Sequence, residues 1–226
     1  MLYPGKKIVY FVRHGQSANN AANVRQGSAG SLSEKGRAQA EFVGERLENV
    51  PIEVILSSPY ERTQETANVI NEKLHSHVEL LDILAERKNP SEIVGKDADS
   101  DEVKKIMDVI DRSFHDGNFR YSDEENFFDL KNRAHKLLDT LAARKEKRFL
   151  CVSHRIFLKM LFSYINQGED IDSNEFAILD YNTKVENTAI TICEYSYWRK
   201  ITKKNPWKIL AVNDYGKVAP APTSVI

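Results

Sequence analysis

Near the start of the chain stands Ile8-Val9-Tyr10-Phe11-Val12-Arg13-His14-Gly15, an apolar run that breaks abruptly into charge and glycine. Its first five residues are β-branched or aromatic, the composition of a strand buried on both faces. Three further runs, at 54–56, 78–83 and 149–152, have the same character. Between the first three lie single helical stretches, and a longer insertion precedes the fourth. Alternating buried strands and amphipathic helices predict an α/β fold, a three-layer α/β/α sandwich around a mostly parallel sheet.

The helical stretches carry their own signals. Residues 33–49 place Phe42, Val43 and Leu47 among charges, an amphipathic pattern. Ser58-Pro59-Tyr60-Glu61 reads as a capping box, with Ser58 as N-cap, Pro59 at the first helical position and Glu61 at N3. The helix it starts runs through Thr63, Ala67, Ile70 and Leu74, with Arg62 in its first turn. Residues 130–147 and 155–166 give two more helices, and 188–195 and 207–213 two more strands. The stretch 87–125 is charged and irregular, with a helix around 103–114, and reads as an insertion, or cap, over the carboxyl edge of the sheet, with a solvated surface excursion as the alternative. Residues 1–217 thus form one domain and 218–226, with Pro220 and Pro222, a loose tail.

Composition narrows the function. The 226 residues hold 32 Lys+Arg against 33 Asp+Glu, a formal net charge of −1, so the basic excess of a nucleic-acid binder is missing. No apolar run approaches the roughly 18 residues of a membrane span, and the first residues lack the apolar core of a secretory signal. These features predict a cytoplasmic protein with no nucleic-acid or membrane partner; a homodimer is compatible with them. Cys151 and Cys193 each sit in an apolar stretch and read as buried thiols.

In open α/β sheets ligands bind beyond the carboxyl ends of the strands. Arg13 and His14 follow the first strand, Ser57, Ser58 and Arg62 the second, Glu86 the third, and Ser153, His154 and Arg155 the fourth. Guanidinium forks match the oxygens of a phosphoryl group, and nearby positive charge keeps an imidazole neutral and nucleophilic. A neutral histidine can accept a phosphoryl group itself, without a metal or cofactor, provided that a carboxylic acid protonates the departing alkoxide. His75 and His77, spaced i, i+2, read as exposed residues rather than metal ligands, and His115 and His135 as surface groups. Arg87, Lys88 and Lys96 read as a charged face, with contact to a second anionic substrate group as the alternative.

The stretch Arg13-His14-Gly15-Gln16-Ser17-Ala18-Asn19-Asn20 resembles the R-H-G-[EQ]-[ST]-x-x-N signature of the histidine phosphatase superfamily, in its phosphoglycerate mutase-like branch. The likeness extends through Leu32-Ser33-Glu34-Lys35-Gly36, Ser57-Ser58-Pro59-Tyr60-Glu61-Arg62-Thr63, Leu84-Ala85-Glu86, Val152-Ser153-His154 and Asn187-Thr188-Ala189-Ile190. It implies that His14 is phosphorylated, that Arg13, Arg62 and His154 surround the phosphoryl group, and that Asn20 adds a polar contact. Glu86 would protonate the leaving group and then activate water. Ser17 belongs to the signature and is placed with the substrate-binding residues, while Ser57 would orient His14. Two departures stand out: Arg155 occupies a position commonly held by glycine, which adds it to the substrate-binding set, and 87–92 lacks the usual glycine and tryptophan. The resemblance implies a phosphomonoester hydrolase acting on a small phosphorylated metabolite. A mutase-type phosphotransferase is the alternative, followed by a non-catalytic phosphoprotein-binding module.

Overall fold

The computed structural model describes residues 5–113, 116–182, 184–202 and 204–214. His115 and the tail expected at 218–226 lie outside them. In chain order the elements are β1 (Lys6–Arg13), α1 (Ala18–Ala21), α2 (Glu34–Leu47), β2 (Val54–Ser57), α3 (Glu61–Leu74) and β3 (His77–Leu80). There follow α4 (Asp101–Ser113), α5 (Phe127–Ala143), β4 (Arg148–Ser153), α6 (Arg155–Gln167), α7 (Ser173–Asn182), β5 (Ile190–Ser196), α8 (Tyr197–Ile201) and β6 (Trp207–Asp214).

The six strands form one sheet in the order β3-β2-β4-β1-β5-β6. β3, β2, β4 and β1 run parallel, whereas β5 and β6 complete the sheet antiparallel. Two cores cover its faces. On one, Phe11, Leu56 and Phe149 pack with residues of α5 and α6 such as Leu137 and Phe157. On the other, Tyr10, Ile55 and Leu150 meet Val43 and Leu47 of α2 and Ile70 of α3. The three-layer α/β sandwich is therefore present. The middles of β1, β2 and β4 are buried because their alternate side chains feed opposite cores.

Three local expectations need correction. The strand expected at 78–83 spans only His77–Leu80, since β3 lies at the sheet edge and pairs with β2 alone; Asp82–Leu84 instead turns as a 3₁₀ helix. Phe42, read as a core position of α2, is half-exposed beside the Arg46 guanidinium, 5.7 Å from its ring. The capping box at Ser58 does not form, and α3 starts at Glu61 with Tyr60 as its N-cap. Both side chains have other partners: Glu61 accepts the Gly30 N–H at 2.8 Å, and the Ser58 hydroxyl lies 2.9 Å from His154 Nε2. A true capping box occurs at Asn126 and Asp129, which extends α5 three residues before its expected start.

The stretch between β3 and α5 packs a small core of its own from Ile93, Val103, Ile106, Met107 and Ile110. Its loop is tied to the one after α1, where Arg25 N–H donates to the Lys96 carbonyl and Gly95 N–H to the Arg25 carbonyl.

Candidate active site

Register brings the two histidines together. β1 and β4 pair with Arg13 opposite Ser153, and the ladder continues through the bond from His14 N–H to the Ser153 carbonyl (3.0 Å). His14 and His154 therefore leave adjacent strands at the same level, their ring centroids 5.1 Å apart. Asn187 grips the His14 carbonyl at 2.8 Å and Thr66 Oγ1 accepts the Gly15 N–H at 3.0 Å. Gly15 and Gly36 are back to back: a Cβ on Gly36 would lie 2.0 Å from the Gln16 carbonyl oxygen, so only glycine lets α2 seat against this loop.

Hydrogen bonds fix both tautomers. His14 Nδ1 lies 2.7 Å from the Gly15 carbonyl oxygen, which can only accept, so Nδ1 carries the proton and Nε2 is left with its lone pair. Arg62 Nε donates to that Nε2 at 3.3 Å. Arg62 Nη2 donates to His154 Nδ1 at 3.2 Å, so His154 carries its proton on Nε2, facing Ser58 Oγ. The third arm of Arg62 is held by the Gly27 carbonyl at 2.9 Å. Tyr60 closes this corner, its ring 5.0 Å from His154 and 5.1 Å from the Arg62 guanidinium.

These groups are almost completely buried: His14 is 3% exposed, Arg62 2% and His154 0%. Burial first, then the charges of Arg62 and Arg13, holds His14 well below the usual histidine pKa. For His154, burial is followed by His14 and Arg62, with the same direction. Both rings are neutral at physiological pH. Arg13 is lowered to about 10 by burial and by Arg155, opposed by Glu86, and stays charged.

Glu86 sits where the chain turns away from β3. Its carboxylate accepts the Arg87 N–H (2.9 Å) and the first N–H groups of α6, from Phe157 (3.0 Å) and Ile156 (3.3 Å). Arg133 of α5 steadies the same turn by donating to the Ala85 carbonyl at 2.6 Å and pairing with Glu125 at 2.6 Å. Sequence reasoning did not single out Arg133, because its partner carbonyls are nearly fifty residues away.

A cavity of about 390 Å³ unites Arg13, His14, Asn20, Arg62, Glu86 and Arg155. Three expected residues do not line it: His154 is wholly buried against Arg62 and Ser58, and Ser17 and Ser57 are used elsewhere. Ser17 is wholly buried as the N-cap of α1, accepting the Asn20 N–H at 3.1 Å and donating to Gln26 at 2.9 Å, and does not line the cavity. Ser57 donates to the Ser58 carbonyl rather than to His14. His75 and His77 are exposed, outside this cavity. His135 is at the surface, bonded to Tyr164 at 2.6 Å. Cys151 and Cys193 are free and buried. From the insertion and α7 the cavity gains Met107, Asp111 and Asp180, and from the loop after α1 it gains Arg25. No sequence signal marked them, since they reach the site only through tertiary packing.

The profile of the histidine phosphatase superfamily (branch 1) matches residues 9–205. A protein of Erwinia tasmaniensis named "Probable phosphoglycerate mutase GpmB" is 32% identical over 161 residues, 70% of this chain and 74% of that one. Among solved structures, Bacillus stearothermophilus YhfR superposes with a TM-score of 0.76 at 22% identity, over 94% of this chain and all of that one. A mycobacterial glucosyl-3-phosphoglycerate phosphatase does so with a TM-score of 0.72 at 20% identity, over 92% and 99% of the two chains. The matched span contains the strand ends that deliver Arg13, His14, Arg62, Glu86 and His154, and the chain belongs to branch 1 of the histidine phosphatase superfamily.

Proposed function

We propose that the protein is a metal-independent phosphomonoester hydrolase acting on a small phosphorylated metabolite through a phosphohistidine on His14. The observation that carries this reading is the unprotonated Nε2 of a buried, neutral His14 that shares one cavity with Arg62 and Arg13, Arg62 being backed by His154. Arg13 and Arg62 neutralise the phosphoryl oxygens, and Arg62 exchanges its bond to Nε2 for one to the incoming group. His14 Nε2 then attacks phosphorus in line as the ester P–O bond breaks. The departing alkoxide takes a proton from the Glu86 carboxylic acid. The resulting Glu86 carboxylate, held by the N–H groups of α6, removes a proton from the water that attacks the phosphohistidine and frees phosphate. His154, donating to Ser58 and bonded to Arg62, keeps that guanidinium in place. The free, buried thiols suit the reducing cytoplasm.

The test is hydrolysis of p-nitrophenyl phosphate in the presence of a chelator. Turnover by the wild type and its loss in His14→Ala are expected; full activity in that variant would remove His14 as nucleophile. A mutase is the second reading, favoured by the name of the Erwinia relative. Incubation with 3-phosphoglycerate and a bisphosphoglycerate primer separates the two: release of phosphate supports the hydrolase, and efficient formation of 2-phosphoglycerate supports the mutase.

A further inference from the structure

The phosphoryl end of the cavity accounts for only part of its positive charge. Five arginines line it, Arg13, Arg25, Arg62, Arg87 and Arg155, against the carboxylates Glu86, Asp111 and Asp180. Asp180 is neutralised by Lys159 at 2.6 Å, and Glu86 is engaged by the start of α6. A phosphate ester dianion balances Arg13 and Arg62. Arg25 and Arg155 then outnumber the one remaining carboxylate of the lining, Asp111, a surplus that an anionic ligand would balance.

Arg25 is built to receive such a ligand. Its backbone is pinned on both sides, N–H to the Lys96 carbonyl at 2.9 Å and carbonyl to the Gly95 N–H at 2.8 Å, and Val24 bridges to Asp97. Its Nε is buried in the cavity wall with no hydrogen-bond partner among the described residues. Burial is the main force on its guanidinium, followed by the charge of Arg87, with Asp111 opposing and Arg155 adding. Arg155, the first residue of α6, lines the same cavity as Arg13 and Arg25. The neighbouring lysines are occupied on the surface: Lys88 pairs with Asp123 at 2.9 Å and Lys96 with Glu102 at 2.7 Å.

We propose that Arg25 and Arg155 form a second anion subsite in the cavity, so that the substrate is a phosphate ester bearing a further carboxylate or phosphate. This rests on the reading of the His14 end as the phosphoryl site. Arg155 bridges the two anionic groups, and Arg25 supplies donors to the second.

Calorimetric binding to the full chain carrying His14→Ala tests it, because binding is read without turnover. Two ligand pairs differ by one anionic group: 3-phosphoglycerate against glycerol 3-phosphate for a carboxylate, and glucose 1,6-bisphosphate against glucose 6-phosphate for a second phosphate. In at least one pair the doubly anionic member should bind about tenfold tighter or more, the scale of a charge-assisted hydrogen bond. Adding Arg25→Gln, or separately Arg155→Gln, should remove most of that ratio. No discrimination in either pair, or a ratio that survives both substitutions, overturns the subsite. The wild-type p-nitrophenyl phosphate assay keeps the two readings apart. Discrimination without turnover would leave the subsite and remove the phosphatase, turnover without discrimination would do the reverse, and neither turnover nor binding of any of the four esters would overturn both.

Discussion

In the proposed mechanism Glu86 has two duties that pull in different directions. Three backbone N–H groups hold its carboxylate, which orients it toward the cavity and satisfies the start of α6, yet the first step asks it to deliver a proton. The need for that proton depends on the leaving group. Glu86→Gln keeps one oxygen for the α6 amides but cannot donate an acidic proton. It should slow hydrolysis of an alkyl phosphate by about 10²-fold or more, in the range of general acid catalysis, and that of p-nitrophenyl phosphate far less. Steady-state kinetics on the two esters check this, and an equal loss on both would remove the acid role. His14 differs in kind, since its chemistry depends on the single acceptor at Nδ1 that leaves Nε2 bare.

At the scale of elements, the site is a product of strand register and helix starts. Pairing Arg13 with Ser153 and Ser57 with Val152 sets three strand ends level, so Arg-His-Gly, Ser-Ser-Pro and Ser-His-Arg converge without long side chains having to reach. This much was legible in the sequence, because an apolar run followed at once by charge marks a strand end in a parallel sheet. What was illegible depended on competition for one side chain. Ser58 and Glu61 match a capping pattern locally, but His154 and Gly30 claim them, and the helix starts later. Ser17 likewise belongs to the signature, yet its hydroxyl is consumed as an N-cap. Arg25, Asp111 and Arg133 carried no local pattern, since each acts through partners brought in by packing of the insertion.

For the whole molecule, a formal charge of −1 conceals an arginine-rich cavity. Burial of two neutral histidines there has a cost for stability in acid. Above pH ~6.5 both are neutral folded and unfolded, so they contribute no pH dependence. As pH falls below that value the unfolded chain binds protons that the folded site, with both pKa values held low, does not, and stability falls. One pH unit below, the loss is on the order of 1 kcal/mol for each histidine. Urea denaturation at pH 7.5 and 5.5 should reveal this drop, and His154→Asn should reduce it by roughly half of the histidine contribution. A drop unchanged by that substitution would place the acid sensitivity elsewhere.

In the proposed mechanism the phosphoryl group is transferred twice, first to His14 and then to water. Each in-line transfer inverts the configuration at phosphorus, so the stereochemical course of hydrolysis counts the transfers directly. Hydrolysis of an isotopically chiral phosphorothioate ester in isotopically labelled water should give inorganic thiophosphate with net retention. Net inversion would mean a single direct attack by water and would contradict the phosphohistidine.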